Sequence, residues 1–307
     1  MNIELLLEDF CHYSRHIRGV SPNTIIRYKQ KVEAFLRIMD IDNTEQINEK
    51  LMHQFFLKGR VERNWSTATY RTYFMTLIAF FKWSVKHGYM EETYLGNIEL
   101  PIQEKLLPKH LKKADALTLL EIVYNYPYTQ KYLRYRNHAI FATFLYTGIR
   151  KSELIGLKLT DVDLENRSLF VRQGKGNKDR IIPISFTLAQ SLHRYLVERK
   201  KAGKTCAEFF TASNRNSGIT QHGLKYLTNL IKEASGVSFT LHRLRHTFAT
   251  MMMEGGCDIF SLSKMMGHSD IKTTMKYMFA SARHLRDQIT KHPLESRYTK
   301  QDSIATF

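Results

Sequence analysis

The chain has 307 residues, 43% hydrophobic and 24% charged, and carries a formal net charge of +17. That size accommodates two domains with full cores, and the three widely spaced cysteines exclude a disulfide framework or a metal knuckle, leaving each to be a buried apolar residue. The charge is uneven: residues 1–100 hold 13 Lys/Arg against 12 Asp/Glu, residues 101–307 hold 33 against 17, and a polyanion, nucleic acid ahead of membrane, is the partner implied.

The opening MNIELLLEDF has no basic n-region or long apolar core, and no apolar run is long enough to span a bilayer, so a cytoplasmic location is expected. Residues 2–17 read as an amphipathic helix with Leu5, Leu6, Phe10 and Tyr13 on one side, broken at Gly19. Ser21 and Pro22 supply an N-cap and a first-turn proline for a second helix carrying Ile25, Tyr28, Val32, Phe35 and Leu36. A third lies near 47–57. A fourth, over 66–87 and ended by Gly88, carries Tyr70, Tyr73, Phe74, Phe80, Phe81 and Trp83. That stripe offers a base-stacking surface, but its spacing is that of core packing. Arg60, Arg63, Arg71 and Lys82 are the better candidates for phosphate contacts. Residues 1–100 are thus a four-helix bundle, and the basic stretch 101–114, with prolines at 101 and 108, reads as a linker.

A second domain begins at Asp115, with helices at about 115–125 and 133–146. Thr147-Gly148 ends the latter and Ser152 starts another. The period then changes: 168–172 and 180–184 read as two strands around the turn GKGNKD, which puts Lys175, Lys178 and Arg180 at a hairpin tip. Helices at about 187–201 and 221–234 follow, with a strand-like piece at 208–210 between them. Thr240 caps a helix over 241–254, stopped by Gly255-Gly256. On it His242 and Arg245 share one face, with Leu244, Phe248, Met251 and Met252 opposite. An imidazole and a guanidinium near a helix N-terminus suit a phosphate. Gly267-His268-Ser269 makes a tight break, and the next short helix brings Tyr277; a phenol beside phosphate-binding groups suggests a tyrosine that attacks a phosphodiester. A helix at 280–289 and a polar tail at 291–307 complete the chain. His242 and His246 have a metal-compatible spacing. Arg243 and Arg245 flank them with no carboxylate between, so no metal is expected; His246 reads as a packed or capping residue, and Met251–Met253 and Met265–Met266 as core.

The set Arg150, Lys175, His242, Arg245, His268 and Tyr277, in TGIRKSELIGL, GKGNKDRIIPI, LHRLRHTFAT and MMGHSDIKTTMKY, resembles the tyrosine recombinase (phage integrase) family, its Xer-like branch most closely. The resemblance spans about 110–290 and extends to SPNTIIRYKQKVEAF, which looks like the family's core-binding domain. It implies a mainly α protein: a four-helix, SAM-like core-binding domain at 1–100, and an α+β catalytic domain with a small antiparallel sheet at 115–290. The implied activity is site-specific recombination through a 3′-phosphotyrosyl intermediate and a Holliday junction, as a homotetramer on double-stranded DNA, with no cofactor and no metal. Tyr277 would be the nucleophile. Arg150 and Arg245 would hold the phosphate, His242 would add a further donor to it or help accept the tyrosine proton, His268 would hydrogen-bond the phosphate or orient its neighbours, and Lys175 would protonate the leaving oxygen. Two other readings are a type IB topoisomerase relaxing DNA as a monomer, and a DNA-binding module without catalysis.

Overall fold

The computed structural model describes residues 1–102, 109–172, 179–268 and 270–280. The chain forms two compact units that divide after Lys105. The first contains α1 (Ile3–His16), α2 (Pro22–Met39), α3 (Glu49–Val61) and α4 (Thr67–Lys86). Each opens on a side-chain cap of the kind the sequence offers. Asn2 accepts from the backbone N–H of Glu4 and Leu5, Ser21 from Thr24, Asn48 from Leu51 and Ser66 from Thr69. Phe10, Phe35, Phe55, Phe80 and Phe81 fill the interior, fully buried. The α4 stripe is therefore packing: Tyr70, Tyr73 and Trp83 are buried with them, and only Phe74 is half-buried.

Two of the four basic residues expected to contact phosphate are engaged elsewhere. Arg60 donates to the Trp65 carbonyl at 2.6 Å, and Arg71, half-buried, donates to the Pro101 carbonyl at 3.2 Å. Each ties a connecting segment, the α3–α4 turn or the stretch after α4, to a helix instead of standing free. Arg63 and Lys82 are exposed.

The second unit is built on α6 (Lys131–Thr147), whose residues 139–145 are buried on every side. It packs against α5 (Lys113–Asn125), α8 (Phe186–Lys201) and α10 (Leu241–Glu254). Between α6 and α8 lie the short α7 (Lys151–Gly156) and an antiparallel sheet of β1 (Val162–Asp163), β2 (Ser168–Val171) and β3 (Arg180–Pro183), in that spatial order. Leu169 pairs with Ile182 and Val171 with Arg180. The strand-like 208–210 joins no strand. It meets the α7 exit through one bridge, Lys158 to Glu208, and Phe209 and Phe210 plug the core. Cys11 is buried as expected, but Cys206 and Cys257 are only half-buried.

After α9 (Gln221–Ser235) and α10 come α11 (Ile259–Met266) and α12 (Lys272–Ala280). Helix α11 is absent from the sequence reading. Asp258 caps it through the Ser261 N–H at 2.9 Å, and Gly267 at φ 62° ends it. The fold class is the one expected, mainly α with a small antiparallel sheet. No described helix is long and apolar enough to cross a membrane. The turn bearing Lys175 and Lys178, the helix expected at 280–289 beyond Ala280, the tail, and linker residues 103–108 lie outside the described residues.

Candidate active site

The site assembles where α10 meets the turn between α11 and α12. Helix α11 ends on three consecutive carbonyls, and each accepts from a different guanidinium. Arg180 Nε donates to Met265 at 2.8 Å, Arg245 to Met266 at 2.5 Å, and Arg150 to Gly267 at 2.7 Å. Carbonyls at a helix C-terminus have no partner within the helix and carry its negative pole, so cations gather there.

Arg150 reaches this point because α6 stops abruptly. Gly148 at φ 60° takes the left-handed conformation, and a Cβ on it would lie 2.4 Å from the Phe248 ring. Gly148→Ala combines a strained backbone with a clash against a buried ring. It is expected to destabilise the second unit by roughly 2–4 kcal/mol, measured by denaturant unfolding; a variant within about 0.5 kcal/mol of the wild type would show that the turn tolerates a side chain.

Glu153 stands between two of the guanidiniums. One of its oxygens accepts from Arg150 at 2.7 Å and from Arg180 at 2.9 Å. The other accepts from Arg180 at 2.8 Å and from the Arg150 backbone N–H at 2.8 Å. Burial alone would raise its pKa, but the Arg180 and Arg150 hydrogen bonds and the Arg180 charge outweigh that and hold the carboxyl at about 2. Arg180, placed at an exposed hairpin tip by the sequence, has a side chain only 9% exposed and is a fastening inside the site.

Arg245 also departs from the sequence reading. It does not stand on a shared surface with His242: it is 3% exposed and turns inward, donating to the carbonyls of Gly148 and Met266 and to His268 Nε2 at 3.1 Å. Burial, then Arg150, lowers its pKa to about 10, so it stays protonated at neutral pH. A guanidinium only donates, so His268 Nε2 is the acceptor and its proton sits on Nδ1, directed at Thr274 Oγ1 at 2.8 Å. Burial, then Arg245 and Arg150, drops His268 to about 3 and keeps it neutral. Thr274, fully buried on α12, is a member of the site the sequence did not single out.

His242 keeps an exposed surface but is partly shielded from water by its neighbours, and that desolvation, then Lys276, Arg245 and Arg150, lowers its pKa, which sets it electrostatically beside both arginines. Tyr277 is 1% exposed, packed with Phe248, Ala249, Met253, Leu262 and Met266. Burial pushes its phenol up to about 12 against the pull of Arg245. The phenol oxygen lies 2.7 Å from Nδ1 of His246, a residue read from sequence as packing; the ring stands one helical turn beyond His242, 4.2 Å between centroids. Met253 and Met266 are core as expected, while Met251, Met252 and Met265 are only partly buried.

Five of the six residues singled out by sequence thus meet around α10 and the α11–α12 turn, and Lys175 lies outside the described residues. Among the described residues no cluster of His, Cys, Asp and Glu is arranged to hold a metal.

Comparison with known proteins gives a consistent result. The model of the phage integrase family matches residues 109–284, and that of the phage integrase N-terminal SAM-like domain matches 6–91. The chain is 32% identical over 303 residues to a tyrosine recombinase XerD of Oceanobacillus iheyensis, covering 95% of this chain and 99% of that one. It is 31% identical over 293 residues to the XerD of Listeria monocytogenes, covering 92% and 96%. Among solved structures, a XerH site-specific recombinase bound to its palindromic difH substrate in a post-cleavage complex matches with a TM-score of 0.73 at 24% identity, over 93% of this chain and 83% of that one, a likeness of fold.

Proposed function

The chain belongs to the phage integrase family of tyrosine recombinases, and on that footing we propose that it recombines DNA at specific sites through a 3′-phosphotyrosyl intermediate on Tyr277. The observation that carries this reading is the convergence of Arg150 and Arg245 on successive carbonyls of the turn that leads into the tyrosine's own helix. Two guanidiniums gathered before substrate arrives hold a phosphodiester by its non-bridging oxygens and stabilise the added charge of a pentacoordinate phosphorus. Preorganised donors of this kind are worth roughly 3–4 kcal/mol each.

His242, exposed beside them, donates to the same oxygens. His268 has its N–H turned to Thr274 and its lone pair to Arg245, and it orients that arginine. Lys175, by the family resemblance, protonates the departing 5′-oxygen. The ester energy is retained in the protein–DNA bond, so rejoining needs no external energy source. Recombination then proceeds as a homotetramer on two duplex sites, one pair of strands at a time, through a Holliday junction.

The test is a nicked suicide duplex carrying the recognition sequence, from which a strand fragment escapes after cleavage. A denaturation-resistant adduct, mapped by mass spectrometry to Tyr277, is expected. A wild-type protein that gives none on its cognate site would overturn the reading.

A cavity of about 360 Å³ is lined by Lys151, by His222, Lys225 and Lys232 along one face of α9, and by the start of α10, a basic track for the flanking phosphates. Replacing Lys225 and Lys232 by Ala is expected to lower the slope of log K against log salt by about 1.8, roughly 0.9 for each phosphate no longer neutralised. A titration of DNA affinity from low to high salt measures it, and an unchanged slope would place the DNA backbone elsewhere.

A further inference from the structure

The position of the phenol raises a question of proton transfer that the family motif leaves to His242. Tyr277 Oη–H has to lose its proton as Oη bonds to phosphorus, and at a pKa of about 12 the phenol does not shed it unaided at neutral pH. The nitrogen in contact with Oη belongs to His246, at 2.7 Å, and no hydrogen bond joins Oη to His242. His242 instead packs against the His246 ring and is the more exposed of the two. We propose that His246, not His242, is the catalytic residue that takes the Tyr277 proton.

The Oη–H bond breaks and its proton passes to the Nδ1 lone pair of His246. The Oη–phosphorus bond forms, the bond from phosphorus to the 5′-oxygen breaks, and that oxygen takes a proton from the general acid assigned above. The proposal rests on the recombinase reading of Tyr277.

Two features of the surroundings suit the role. The groups that bear on His246 are His242 and Arg245 on α10, Lys276 and Tyr277 on α12, and His110 in the segment before α5. Burial first, then His242, Lys276, Arg245 and His110, lowers the imidazole to about 4. It is therefore neutral at working pH, with Nδ1 free to accept if the ring proton sits on Nε2. A phosphodiester seated on Arg150 and Arg245 supplies negative charge against the same cations, which raises the basicity of His246 only when there is something to attack. A proton acceptor has to be within hydrogen-bond reach before its pKa matters, and among the histidines of this site only this one is hydrogen-bonded to Oη.

The experiment measures single-turnover adduct formation on the suicide duplex, with DNA affinity and thermal unfolding as controls for folding. His246→Asn offers an oxygen acceptor near the Nδ1 position but cannot take a proton, so it separates holding the phenol from deprotonating it. The expected loss for His246→Asn is on the order of 100-fold at neutral pH, the lower range for removal of a general base. The loss shrinks as pH rises. It falls to a few-fold when Tyr277 is replaced by a fluorinated tyrosine that ionises without help. His242→Asn, by contrast, loses rate without rescue by the fluorinated phenol, because its contribution is to the phosphate.

His246→Asn at wild-type rate would overturn the proposal, as would a loss that the fluorinated phenol leaves intact or a rescue confined to His242→Asn. Should His246→Asn fail to fold, the wild-type pH–rate profile decides. Its alkaline rise disappears with the fluorinated tyrosine if proton removal limits the step, and an unchanged profile counts against the assignment. A wild-type protein without adduct fails at Tyr277 itself, a result separable from all of these.

Discussion

Tyr277→Phe is expected to abolish covalent attachment to DNA altogether, with binding to the recognition site retained. The ring's apolar packing with Phe248, Met253, Leu262 and Met266 survives the change, because only the hydroxyl is removed. Its removal leaves His246 Nδ1 without the phenol at 2.7 Å, and the cost in stability is about 1 kcal/mol. Two measurements on the same preparation check this: adduct yield on a suicide duplex, read on a denaturing gel, and a denaturant curve. A residual adduct would assign the nucleophile to another side chain. A collapse of stability by several kcal/mol would mean that the phenol–imidazole pair holds α12 in place, a structural use of Tyr277 over and above its chemistry.

Glu153→Gln is expected to have the second large effect, this time on stability. The carboxylate accepts four hydrogen bonds, from Arg150 and Arg180, and its side chain is 5% exposed. Its folded-state pKa of about 2 lies below the ordinary value of 4.5, so the group contributes stability above pH 4.5 that is lost as pH falls toward 2. A shift of this size is worth roughly 3 kcal/mol at neutral pH, and removing one partner of a buried pair costs about 3–5 kcal/mol. The amide keeps the shape but loses the charge, and its NH2 group turns a donor toward the Arg180 guanidinium and the Arg150 backbone N–H that the second oxygen served. Urea unfolding of wild type and variant from acid to neutral pH tests it: the curves should lie closest near pH 2, part between pH 2 and 4.5, and keep a constant gap above pH 4.5. Parallel curves would locate the acid sensitivity in other carboxylates.

The caps are the most legible part of the chain, because a Ser, Thr or Asn before an apolar period satisfies free N–H groups wherever the helix later packs. Thr240 and Ser21-Pro22, with the helices they open, are examples; the strands that flank the GKGNKD turn are legible for another reason, the change of period. Helix α11 is hard to see because eight residues between two glycine breaks are too few to show a period; the Asp258 cap is its one signal. Helical spacing also puts His242 and Arg245 on one face without saying how deep each lies. Arg245 is drawn inside by carbonyls of residues 148 and 266, far apart in sequence, and no local pattern records that. His246 is hidden for the same reason, since its partner is 31 residues away. Glu153 is visible in sequence only as a local companion of Arg150, and its second guanidinium, Arg180, comes from the sheet.

The turn after α11 has one more consequence. Its backbone oxygens at 265, 266 and 267 hold Arg180, Arg245 and Arg150, and α12, with Tyr277 on it, starts five residues later at Lys272. His268 and Thr274 tie that helix back to Arg245 by a further link. If the proposed roles hold, grip and strike share one pivot: a shift of α12 toward DNA would be passed through this turn to the arginines that hold the phosphate, and a phosphate seated on them would act back on α12.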